Sequence, residues 1–422
     1  MLKGRLAVNA SALMVSSMAT GALGLVYWMI AERMLPTSEV GRASAMISTA
    51  TAMSSLACLS LAGAYERFLP VAGHRTTRLI LGGYALIGAT SAILGTGFVL
   101  LGFGSKLFHS TTDKVMFPLL VLVLAYYAIT DPILIGLRRS PAVAVKNVFL
   151  SVTKIIPLFF LTGTATAMAV AGSWLLLAAL TTAVFIVHVV RIAIGRRTES
   201  SEELPAGREL MAFQGVFFTM MLVSSVVPFA LPLIVVGTVG TTQNAYFNLA
   251  WTMNAAAGML RSSFGAAFVV EAVQPGADGQ SLVRQLKRML IPLTLVVAAG
   301  LAVGGPVLLW VVGAEYAREA GPLMVILAAQ SIIDTVVIVY FMVAQIQRKL
   351  RLMLIVQIMI VTVTVAGSVL LLPHIGLIGV GCASIAASAI AFAVVIGPLI
   401  TGIREMQHAE HPTHQPEPLT QQ

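Results

Sequence analysis

The chain has 422 residues, of which 58% are hydrophobic and only 10% charged, and its mean hydropathy is +0.93. Soluble domains carry roughly 25% charged residues, so this composition excludes a soluble globular protein and indicates an integral membrane protein. The formal charge of +9 lies between apolar runs rather than on one patch, which argues against a nucleic-acid partner.

Twelve apolar segments of membrane-crossing length follow one another along the chain. The first, 9–31, comes after Lys3 and Arg5; it is too long for a signal-peptide core and is read as a retained helix. The second, 41–64, runs into "GAYERFLP", where Glu66 and Arg67 emerge side by side. The third, 79–103, is glycine-rich, and the fourth, 115–137, carries Asp131. The fifth, 148–167, carries Lys154 and is separated from the sixth, 169–190, by a weak turn. The longest polar stretch, 195–209, falls almost midway, as a linker between two six-helix halves would.

The seventh segment is 211–236, with Pro228 and Pro232 inside it. The eighth, 243–269, opens with Gln243, Asn244, Asn248 and Asn254 and carries Arg261 at depth. The ninth, 290–312, contains a GxxxG at Gly300 and Gly304; the tenth, 320–345, carries Asp334; the last two are 352–372 and 376–400. Residues 404–422 are polar and read as a disordered tail, whose His408, His411 and His414 make only a weak case for a metal. Cys58 and Cys382 lie in apolar runs and read as small packing residues. No cofactor motif is present in the sequence.

With the N-terminus inside, about nineteen Lys and Arg residues fall on the inner side, among them Lys146 in the loop before the fifth segment, and five on the outer. This bias places both termini in the cytoplasm of a multi-pass plasma (inner) membrane protein. Shifting the second half by about 204 residues lays "PTSEVGRASAM" on "GTTQNAYFNLA", Pro118 on Pro322, and Asp131 within one position of Asp334. The expected fold is therefore all-α, with two six-helix lobes, 1–194 and 210–403, related by a pseudo-twofold axis along the membrane normal.

The stretches "LGLVYWMIAERMLPTSEVGRASAMIS", "GAYERFLP" and "RSSFGAAFVVEA" resemble the oligosaccharide flippases of polysaccharide biosynthesis. These form part of the multidrug/oligosaccharidyl-lipid/polysaccharide exporter (MOP) superfamily. The resemblance implies alternating-access transport of a polyprenyl-pyrophosphate-linked glycan through a cleft between the lobes. The partners it implies are that glycolipid, membrane lipids, and the glycosyltransferases or polymerase of the same pathway. Drug exporters of the superfamily often carry an Asp in the first helix, and segment 9–31 contains no acid. A cation-coupled drug or metabolite exporter is the alternative reading, and a transport-inactive scaffold a further one. The few acids on outer loops and the lack of a nucleophile or DxD motif argue against an enzyme.

Ionisable residues at membrane depth are costly and usually face a cavity or a partner. Lys154 reads either as an ion-pair partner of Asp131 or as a phosphate ligand. Arg261 reads as a pyrophosphate ligand or as the partner of a nearby carboxylate. The position matching Lys154 near Asp334 is Ile358, so Asp334, and secondarily Asp131, are candidates for cation coupling. Asn244, Asn248 and Asn254 offer amides either to sugar hydroxyls or to neighbouring helices. Arg67 plus the repeat offset falls on Glu271, which makes these two a candidate cytoplasmic gate, with Arg67 also a candidate phosphate ligand.

Overall fold

Lipid offers the backbone no hydrogen-bond partners, so a spanning chain of this composition has to close its hydrogen bonds within helices. A computed structural model describes residues 2–58, 61–161, 166–196, 207–272, 279–347 and 350–408, and nearly all of them are helical. The first half contains α1 (Leu2–Met34), α2 (Thr37–Ala57), α3 (Leu61–Phe68), α4 (Thr76–Leu100), α5 (Thr111–Gly136), α6 (Ser140–Thr153) and α7 (Ala167–Gly195). The second contains α8 (Gly207–Val239), α9 (Thr241–Ala272), α10 (Gly279–Ala299), α11 (Gly305–Val312), α12 (Ala314–Ile346), α13 (Leu350–Ile375) and α14 (Leu377–His408).

Among the described residues, nine spans are long and apolar enough to cross a membrane, and the bent pair α2–α3 makes a tenth. With α1 and α9, 33 and 32 residues long, the rods number twelve. Each expected segment is found, although three are broken. α3 continues α2 after a bend, a short 3-10 turn at Ile156–Phe159 follows α6, and a π-helical segment at Gly300–Gly304 joins α10 to α11. The helix starts follow local chemistry. At α5 the Ser110 hydroxyl accepts from the Asp113 N–H at 3.1 Å, and the Asp113 carboxylate accepts from the Ser110 N–H at 3.2 Å, a reciprocal cap.

α1–α7 pack into one lobe, through pairs such as α4–α5, α5–α7 and α1–α6, and α8–α14 into the other, through α13–α14, α12–α14 and α12–α9. The lobes meet where α2 packs on α8 and α9, and α1 on α9. The end of the molecule at Met34–Thr37 is called outer here, following the charge bias of the sequence. At that end the backbones of α2 and α9 approach so closely that a Cβ on Gly41 would stand 1.8 Å from the Thr241 carbonyl oxygen. The residues 197–206 of the expected linker lie outside the described set. The expected tail begins as helix, because α14 continues through Arg404 to His408.

Lys146, read from the sequence as an inner-loop cation, is instead fully buried within α6. Its ammonium lies 3.0 Å from Asp131, donates to the Tyr127 carbonyl at 2.9 Å, and sits 3.1 Å from the centre of the Tyr127 ring.

Candidate functional site

A cavity of about 580 Å³ opens along the lobe seam, one to two helical turns below the outer contact. Its walls come from α1, α2, α8 and α9, with Trp174 of α7. Helical periodicity sets the lining. On α2 the small polar face is Ser48, Thr51 and Ser55; on α9 it is Asn248 and Thr252, interleaved with Phe247 and Trp251. Trp28 and Trp174 complete an aromatic wall, their rings 6.2 Å apart, with Phe247 and Trp251 stacked at 5.3 Å on the α9 side. Pro228 and Pro232 on α8 also line the space. The described lining holds no charged side chain, and among the described residues no cluster of His, Cys, Asp and Glu could hold a metal ion.

The sequence-derived candidates are distributed unevenly around this cavity. Asn248 faces it, and its amide nitrogen is buried without a protein partner, so a donor is left for a ligand. Asn244 instead closes the seam, its amide donating to the Gly41 carbonyl at 2.7 Å and the Ser44 hydroxyl at 3.0 Å. Asn254 is half-buried on α9 outside the described lining. Gln243 reaches Glu319 at 3.2 Å near the outer end.

Lys154 is buried behind the aromatic wall, with its ammonium 4.3 Å from the Trp174 ring centre and 5.3 Å from that of Tyr27. The expected Asp131–Lys154 pair does not form. Asp131 takes Lys146, just over two turns earlier on the same helix, and accepts from Asn147 at 3.0 Å. Cation–π contact therefore stands in for an ion pair at Lys154.

Arg261 is 4% exposed and turns into the C-terminal lobe, donating to the Ser331 carbonyl at 2.8 Å. Asp334 lies within its electrostatic reach and accepts from Gln330 at 3.3 Å. Of the two readings of Arg261, the structure shows the carboxylate neighbour, and it corrects the expectation that Asp334 lacks a cation. The repeat argument looked for that cation on the next helix, where Ile358 stands, but it comes from α9. The side chains of Arg67 and Glu271 lie outside the described residues.

The sequence reading missed the tryptophans and a polar belt at the outer seam. Trp28, Phe247 and Trp251 were visible as aromatics in otherwise small-residue helices, a signal for a lined cavity. In the belt, Tyr316 of α12 donates to Glu32 of α1, Tyr246 donates to Glu315 at 3.2 Å, and Lys106 donates to the Gly237 carbonyl at 2.5 Å. Arg42 pairs with Glu39 at 2.6 Å and approaches Asp113 at 3.9 Å.

No family model matches the chain, and no curated protein matches it in sequence. Solved structures do match its fold. A multidrug resistance MATE family transporter of the MOP superfamily, in an inward-facing conformation, is 16% identical with a TM-score of 0.67, over 95% of this chain and 100% of that one. The lipid II flippase MurJ, in an inward closed conformation, is 14% identical with a TM-score of 0.62, over 93% and 89%. An outward-facing MATE family transporter is 15% identical with a TM-score of 0.57, over 94% and 96%. The chain thus has the twelve-helix, two-lobe fold of MOP superfamily transporters, in a multi-pass membrane protein.

Proposed function

We propose that this protein is a flippase that moves a lipid-linked oligosaccharide across the inner membrane by alternating access, with both termini cytoplasmic. The observation that carries the reading is the chemistry of the seam cavity. Trp28, Trp174, Phe247 and Trp251 give flat apolar faces for sugar rings, and Ser48, Thr51, Ser55, Asn248 and Thr252 give hydroxyls and amides for their hydroxyl groups. The volume is that of sites which bury drug-sized ligands. To an organic cation the described lining offers aromatic faces but no carboxylate. The lipid tail stays in the bilayer and the cavity handles the headgroup alone.

Reconstituted vesicles carrying a fluorescent short-chain polyprenyl-pyrophosphate oligosaccharide test this. Protein-dependent loss of the inner-leaflet label, reduced at least severalfold by Trp251→Ala, is the expected result. Efflux of an organic cation such as ethidium without movement of the glycolipid would install the exporter reading instead. Movement of neither would favour a scaffold.

A further inference from the structure

Glu32 stands four residues from the break between α1 and α2, yet it is only 6% exposed. One carboxylate oxygen accepts from the Tyr316 hydroxyl across the lobe seam, and the other, Oε1, is buried with no partner. The cations nearby are engaged elsewhere. Arg33, next on the same helix, donates to the Val311 carbonyl of α11; Arg42 of α2 is held by Glu39 and Asp113; Arg318 of α12 lies 3.2 Å from Glu319. The groups nearest this contact on α9 and α12 add no cation: Tyr246 and Tyr316, whose rings meet edge to face at 4.7 Å, with Glu315 and Glu319 beside Tyr246. Thr37, at the start of α2, lies at the Tyr316 hydroxyl as well. Tyr316 is thus a plug from one lobe set between two residues of the other.

We propose that Glu32 is a proton-binding site that latches the outer seam, taking up one proton from the outer solution each time the lobes close there. A carboxylate withdrawn from water without a cation is costly as an anion, and a proton on the oxygen that meets Tyr316 removes the charge. The neutral acid can donate to the Tyr316 hydroxyl while that hydroxyl donates to Thr37, so the plug stays hydrogen-bonded in the protonated state. When the seam opens, water reaches Glu32 and the proton leaves for the outer solution. The closed seam binds the proton more tightly than the open one, so by linkage acid favours closure and alkali favours opening. This goes beyond the transport reading and does not depend on the glycan.

The test uses the full chain in lipid nanodiscs, with Cys58 and Cys382 replaced and spin labels at Thr112→Cys and His374→Cys, exposed positions at the outer ends of α5 and α13. In the otherwise parental protein, the short inter-lobe distance should gain population as pH falls, by at most about tenfold per pH unit for one proton. Glu32→Gln should hold the short distance at every pH, while Glu32→Asp, Glu315→Gln and Glu319→Gln should still titrate. Distances independent of pH in the parental protein, or a titration unchanged in Glu32→Gln, would overturn the latch. No substrate is present, so neither result bears on the flippase reading.

Discussion

Arg261 shows how a single side chain decides between chemistry and architecture. A guanidinium facing a cleft would serve a phosphate; this one is buried against the Ser331 carbonyl and beside Asp334. Its Nε has no partner, so the site tolerates no further loss. Removing one member of a buried charge pair leaves the other uncompensated, at a cost of about 3–5 kcal/mol. Arg261→Ala is therefore expected to lower the thermal stability of the purified protein, as is Asp334→Asn, and Arg261→Met combined with Asp334→Asn should recover part of the loss. A melting curve of Arg261→Ala that matches the parent, with transport abolished, would return Arg261 to the substrate. The sequence marked Arg261, Asp131, Asp334 and Lys154 as charges within apolar runs. It could not assign their partners, because a helix face reports spacing along one rod and pairing depends on which rod lies alongside. Lys146 was misread for a related reason, as its place near the end of an apolar run resembles a loop.

At the scale of elements, the α2–α9 contact governs the closed outer end. Gly41 permits it, since any Cβ there would collide with the backbone of Thr241 and Ala245, and backbone cannot move aside as a side-chain tip can. The Asn244 bonds to the Gly41 carbonyl and the Ser44 hydroxyl require the same approach. Gly41→Ala should hence separate the outer ends of α2 and α9. A cysteine placed at Ser48, in the cavity wall, reports this in right-side-out vesicles free of Cys58 and Cys382. An impermeant maleimide added outside is expected to react severalfold faster in Gly41→Ala, and equal rates would show that the seam closes without this contact. The twelve rods were legible because apolar length is a strong signal. The bend after Ala57 and the π segment at Gly300–Gly304 were not, because the first lies in an unbroken run of small apolar residues and the Gly300/Gly304 pair reads equally well as helix packing.

Across the whole molecule, the proposed alternating access requires that one end close when the other opens, and the two ends are chemically unlike. The outer end is shut by hydrogen bonds from Tyr316 to Glu32 and from Asn244 to the Gly41 carbonyl and the Ser44 hydroxyl. The inner end is where the sequence concentrates its cations, and there α3 packs toward α8 of the opposite lobe. Arg67 on α3 and Glu271 on α9 both lie within two residues of their helix ends, at the repeat offset of 204. A pair formed between them would tie the lobes together when the cavity opens outward. An exposed pair contributes only about 0–1 kcal/mol, but a shift of about 1.4 kcal/mol already changes a two-state ratio tenfold, so partial burial suffices to matter. Arg67→Glu is expected to impair glycolipid translocation in the vesicle assay, and Arg67→Glu with Glu271→Arg to recover part of it. Failure of the swap to recover, with Arg67→Lys also inactive, would point to direct contact between Arg67 and an anionic headgroup. Parental rates in all three variants would remove both roles and leave Arg67 as one more cation on the inner side.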